Sequence, residues 1–104
     1  MIIRVWHGWT IPENADKYEA LLREEIFAGI AGRKIPGYSG IQLLRRSLPS
    51  EVEFVTVMRF DDVAAVTEFA GPDYEQCVVP PKARMLLSRF DERSQHYELR
   101  EEMQ

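Results

Sequence analysis

Two histidines, His7 and His96, and a single cysteine, Cys77, are the only imidazoles and thiol in the 104-residue chain. Imidazole is the side chain whose charge changes nearest neutral pH, so each histidine is a candidate base or hydrogen-bond partner in a catalytic site. His7 lies in the strand-like run Met1 to Thr10, where alternation puts it on one face with Ile3, Val5 and Trp9. If that face looks into a cavity between a sheet and its helices, His7 is positioned to take a proton there. The competing reading, a half-buried strand histidine with a satisfied ring, carries more weight. His96, opposite in parity to Tyr97 and Leu99, serves equally as a site residue or as a polar group at a subunit interface. Arg45 and Arg46 are adjacent, but strand neighbours point to opposite faces, so only one of them, taken here as Arg45, can reach a cavity.

Other chemistries find little support. With one cysteine and no HExxH or CxxC pair, a dedicated metal site would depend on scattered carboxylates, which argues against one. No GxSxG elbow marks a nucleophile, and neither a phosphate loop nor a dinucleotide fingerprint is present. Cys77 reads first as a small buried hydrophobe. The aromatics Trp6, Trp9, Tyr18, Tyr38, Phe54, Phe69 and Tyr74 are core material first, and also the surface a planar organic ligand would need. Trp6 and Trp9 differ in parity about a strand, so only one of them faces a pocket under the helices.

Thirteen basic against seventeen acidic residues give a net charge of −4, and no cationic cluster alternates with aromatics, which argues against nucleic acid as a partner. A lone cysteine forms no intrachain disulfide, so a reducing, cytoplasmic setting is expected, and no apolar run approaches a membrane span.

The elements that must position these groups follow from periodicity. A strand over Met1–Thr10 contains Gly8, a place for a bulge or for close approach to the backbone. After Pro12, Asn14 is placed to cap a helix with Ala15, Tyr18, Leu22, Ile26 and Ile30 on one side. Pro36 and Gly37 turn the chain, with Tyr38 at the lip of a site, into a hairpin of strands Gly40–Leu48 and Glu51–Phe60. Asp61 or Asp62 caps a short helix ending at Gly71, Pro80–Pro81 start another, and Ser94–Arg100 reads as the last strand, with residues 100–104 a frayed tail.

The order strand, helix, strand, strand, one or two helices, strand is the split βαβ plan of a single ferredoxin-like α+β domain over residues 1–104, with a four-stranded antiparallel sheet. Helices cover only one face of such a sheet, yet its middle strands are apolar on both. A second copy packing sheet against sheet is therefore expected.

The strand Arg4-Val5-Trp6-His7-Gly8-Trp9-Thr10, the helix with Tyr18, the turn Ile35-Pro36-Gly37-Tyr38, the strand Glu53-Phe54-Val55-Thr56 and the segment Phe69-Ala70-Gly71-Pro72-Asp73-Tyr74-Glu75 together resemble the antibiotic biosynthesis monooxygenase family. Val78-Val79-Pro80-Pro81-Lys82-Ala83-Arg84 and His96-Tyr97-Glu98 extend the likeness over nearly the whole chain. The resemblance implies a homodimeric α/β barrel with a ligand cavity in each subunit. It also implies oxygenation of aromatic compounds such as anthrones or quinols without metal, flavin or other cofactor. Relatives that degrade heme carry a ligating histidine on a helix in the second half of the chain. Asp62–Ala70 and Pro80–Leu87 have none, and His7 stands where those relatives carry asparagine, so heme is not expected. Under the oxygenase reading the candidates are His7 and His96 for catalysis, and Trp9, Tyr18, Tyr38, Arg45, Phe54 and Tyr74 for substrate contact. The alternatives are a non-catalytic ligand-binding or dimerisation module of the same fold, and an isomerase or cyclase working by proton transfer.

Overall fold

The computed structural model describes residues 1–104. The chain runs β1 (Ile2–Thr10), α1 (Pro12–Leu21), a π-helical turn (Leu22–Ile26), α2 (Phe27–Gly32), β2 (Tyr38–Ser47), β3 (Val52–Phe60), α3 (Val63–Ala70), α4 (Pro81–Leu86), β4 (Arg89–Phe90) and β5 (Gln95–Glu98). The sheet is antiparallel in the order β2-β3-β1, with β4 and β5 both on the far side of β1. This is the expected ferredoxin-like α+β plan, with the last strand in two pieces. No helix is long and apolar enough to cross a membrane.

Register decides which face each strand residue takes. Arg4 lies opposite Met58, Trp6 opposite Thr56 and Gly8 opposite Phe54. The even-numbered residues of β1 therefore share the face of Val52, Phe54, Met58 and Phe60, the buried residues of β3. The helices cover that face. Tyr18 and Leu22 pack with Phe54 in one core cluster, and Val66 and Phe69 with Phe60 in another. Ile3, Val5, His7 and Trp9 lie on the opposite face, where nothing in the chain covers them completely.

The first helix starts earlier than its capping signal suggests. Pro12 takes the first helical position, where its missing N–H costs nothing, and Ile11 precedes it in an extended conformation. Asn14 does not cap; its side-chain amide donates to the Leu86 carbonyl at 3.3 Å, tying α1 to the end of α4. α1, the π turn and α2 form one continuous helix, with Phe27 N–H donating five residues back to Leu22. Asp62 does cap α3, accepting from Ala65 N–H at 2.9 Å. Gly37, at φ +84°, passes so close to α3 that a Cβ there would meet that of Ala65 at 2.9 Å, so glycine is required at this turn.

The last strand is the main departure. A strand over Ser94–Arg100 is the pattern in sequence, but pairing with β1 begins at Arg89, breaks at 91–94 and resumes at Gln95. At the break, the Asp91 carboxylate accepts from the His7 backbone N–H at 3.1 Å, in place of the missing ladder carbonyl.

Candidate functional site

A cavity of about 60 Å³ lies between the covered face of the sheet and the helices. Its floor is set by the strands: Arg4 and Trp6 from β1, Ile41 from β2, Thr56 and Met58 from β3, and Ser94 from the break in the last strand. Leu22, Ile26, Phe27 and Ile30 close it from the long helix, Phe69 from α3, and Val78, Val79 and Pro80 from the segment before α4. Ile26, Ile30, Phe69, Val78 and Pro80 also line an open vestibule of about 640 Å³, so these five side chains form the throat between chamber and solvent. At the mouth, Lys82 pairs with Glu25 at 3.0 Å, and Arg33 holds the Glu68 and Phe69 carbonyls at 3.1 and 3.2 Å.

Local geometry explains why the chamber stays open. In a regular α-helix Tyr18, Leu22, Ile26 and Ile30, spaced by four, would drift round the axis by roughly 40° per step. The π turn widens the helix at Leu22–Ile26 and brings the later members back over the sheet. The Trp6 ring lies so close over Gly8 that a Cβ at Gly8 would meet it at 2.8 Å, which answers why this strand carries a glycine. Trp6 N–H is satisfied by the Asp91 carbonyl at 2.8 Å.

The polar end of the chamber is the Arg4 guanidinium, 3 % exposed. Nη1 donates to the Tyr74 carbonyl and, at 3.0 Å, to His96 Nε2; Nη2 donates to the Gln76 carbonyl at 3.1 Å. No carboxylate lies within ion-pair distance of Arg4. Burial lowers its pKa from 12.5 to about 10, partly countered by the neighbouring Cys77, so it is a cation at neutral pH. Arginine has no lone pair to offer, so His96 must accept at Nε2, and its neutral ring carries the proton on Nδ1. Burial and the adjacent Arg4 both lower the His96 pKa, which favours that neutral form.

The residues expected at a site are dispersed. His7 and Trp9 do not face the helices; both lie on the open face, because β1 pairs with β3 in the register that turns its even-numbered residues inward. His7 Nδ1 meets Asp91 at 2.7 Å, and Trp9 lies 3.9 Å from the Arg89 guanidinium. Tyr18 does line the chamber, packed edge-on against Phe54 at 4.9 Å, and burial raises its pKa, keeping the phenol neutral. Phe54 is fully buried core behind it. Arg45 faces the helices as parity requires, yet it ends outside the chamber, paired with Asp16 at 2.9 Å and Glu19 at 3.0 Å. Tyr38 packs on Phe60 at 5.7 Å, away from the chamber lining. Tyr74 supplies its carbonyl to Arg4 and sets its ring edge-on to His96 at 5.2 Å. His96 holds Arg4, with its Nε2 lone pair occupied.

Sequence reasoning missed Arg4 and Ser94 as site residues. The strand register would have found Arg4, since it shares parity with Trp6 and lies across from Met58. No local pattern announces Ser94, which enters through the break in the last strand.

No family model matches the chain, and no curated protein matches it by sequence. Solved structures do. A Bacillus cereus protein, whose assignment as an antibiotic biosynthesis monooxygenase is itself inferred, superposes with a TM-score of 0.70 at 12% identity, over 100% of this chain and 95% of that one. A Deinococcus radiodurans protein with the same inferred assignment gives 0.65 at 16% identity, over 100% and 97%. The chain has the fold of these proteins. The match agrees in fold with the resemblance read from sequence; chemistry must come from the site itself.

Proposed function

We propose that the protein is a cofactor-independent monooxygenase of the antibiotic biosynthesis type, acting on a planar, largely apolar small molecule whose rings occupy the vestibule and throat and whose inner end enters the chamber beneath the long helix. The observation that carries this reading is a partly open apolar chamber with an apolar throat, lined at its polar end by one buried cation. Trp6 and Phe69 give it aromatic walls, and Arg4 gives it a positive charge that favours an ionised over a neutral ligand oxygen.

The chemistry asked of such a site is modest. A methylene between two aryl rings becomes a carbonyl when it reacts with dioxygen and releases water; the substrate supplies all four electrons, so no outside reductant is required. The reactive species is the substrate anion. Arg4 would lower the pKa of a bound phenol or enol and so favour its ionisation, and the apolar walls would exclude water. The chamber and throat contain no histidine or cysteine to ligate iron, so no step is routed through a metal.

One observation favours the second reading, a binding module without a reaction. The chamber lining has no carboxylate and no imidazole, so no side chain there is free to take the substrate proton. Oxygen uptake with 1,8-dihydroxyanthrone and naphthoquinols separates the two. The oxygenase reading predicts saturable uptake of one dioxygen per substrate, abolished by Ile30→Trp, which plugs the throat. Binding of the same compounds with no uptake by any would establish the binding module.

The same proposal includes a homodimer. Val5, Val57, Leu44 (51 % exposed) and Tyr97 (56 % exposed) present an apolar patch on the face opposite the helices, and a second copy of that face is its natural cover.

A further inference from the structure

Resting on the reading of the chamber as a ligand site, we infer that its ligand carries a carboxylate, gripped by Arg4 and Ser94 at the inner end. Arginine has five N–H donors. Three of them are accounted for: two on Nη1, to the Tyr74 carbonyl and His96, and one on Nη2, to the Gln76 carbonyl. The donor on Nε and the second on Nη2 have no acceptor in the chain. These belong to adjacent nitrogens of one planar group, and two such donors match the paired oxygens of a carboxylate. A single phenolate oxygen can accept from both only by sharing one atom at bent angles, whereas a carboxylate meets each with its own oxygen.

Ser94 supplies the independent observation. It is 3 % exposed, lines the chamber, and its hydroxyl has no hydrogen-bond partner. Buried polar groups are seldom left unpaired, because each forfeits its hydration without return. Thr10 Oγ1 and His96 Nδ1 are also unpaired, but neither residue lines the chamber; Arg4 and Ser94 both do, and no acidic side chain answers either of them. An acceptor bearing one negative charge completes both. One cation matches a carboxylate's single charge better than a phosphate's two, and the throat of Ile26, Ile30, Phe69, Val78 and Pro80 requires the rest of the ligand to be apolar. His96 is a positioning residue in this arrangement: its lone pair fixes Nη1, which leaves the Nε edge of the guanidinium turned away from it.

The test is calorimetric titration at neutral pH with a matched pair of probes, 2-naphthoate and 2-naphthamide, on the wild type, Arg4→Lys and Ser94→Ala. Arg4→Lys keeps the charge and loses the planar fork. Ser94→Ala removes a hydroxyl that has no partner and should leave the fold intact should the lysine variant fail to fold. The inference predicts that wild type prefers the carboxylate by about tenfold or more, that Arg4→Lys loses most of that preference, and that Ser94→Ala loses several-fold of it, with amide affinity falling less than acid affinity in both. Equal binding of acid and amide to the wild type, or an undiminished preference in Ser94→Ala, overturns the carboxylate assignment and leaves the ligand chamber standing. Failure of both probes to bind overturns the ligand chamber itself and the carboxylate assignment with it.

Discussion

Asp91 carries several jobs for one side chain. Its carboxylate meets the His7 ring and the His7 backbone N–H, while its backbone carbonyl holds Trp6 in the chamber wall. Asp91→Ala leaves the His7 N–H without an acceptor at the strand break and should cost about 1–2 kcal/mol in urea unfolding. His96 gives a pH signature. Its folded pKa lies below the ordinary 6.5, chiefly through burial and then through Arg4. The unfolded chain therefore takes up the proton first, so the contribution of neutral His96 is whole above pH 6.5 and is lost as pH falls toward the folded value. His96→Gln keeps an acceptor for Arg4 and removes the titration, so its stability should fall less than that of the wild type as pH drops below 6.5. Parallel curves would deny His96 this role. At this scale the sequence showed which residues can do chemistry, and alternation grouped His7 with Trp9 correctly. It could not say which group faced the helices, because both parities of β1 carry apolar and polar side chains.

Among the elements, the π turn is the one on which the chamber depends most. Inserting one alanine after the exposed Glu24 would add a residue beyond the one the π turn absorbs and rotate Phe27 and Ile30 by roughly 100° relative to Tyr18, whereas deleting Glu24 would close the turn to a regular α-helix and leave their direction unchanged. The insertion should retain helical circular dichroism and lose most affinity for the naphthyl probes; unchanged affinity would show that the direction of the later turns is incidental. Amphipathic spacing made the long helix legible, but a π turn has no composition of its own. It shows only as the four-residue steps from Tyr18 to Ile30, which a longer regular helix would not keep in line. The hairpin and the Asp62 cap were legible because turn and cap chemistry are local. The split last strand was not, since Arg89–Phe90 is too short to alternate and its pairing depends on β1, far away in sequence.

For the molecule as a whole, two apolar faces on one sheet are a statement about partners. The helices account for one, and the proposed second copy accounts for the other. Val57→Lys places a charge in the middle of the open face and should turn a dimer into a monomer in sedimentation velocity, with ligand affinity in the helix-side chamber little changed. A wild type that sediments as a monomer at micromolar concentration would contradict the dimer. The overall plan was readable from the order of elements alone, because few architectures bury one helical layer on an antiparallel sheet.

The most direct test of the central claim, that the chamber beneath the long helix is the ligand site, is to follow backbone amide signals by NMR while titrating 2-naphthol. The account predicts shifts concentrated at Arg4, Trp6, Ile26, Ile30, Phe69 and Ser94. Shifts confined to open-face positions such as Val55, Val57 and Tyr97, or no shifts at all, would contradict it.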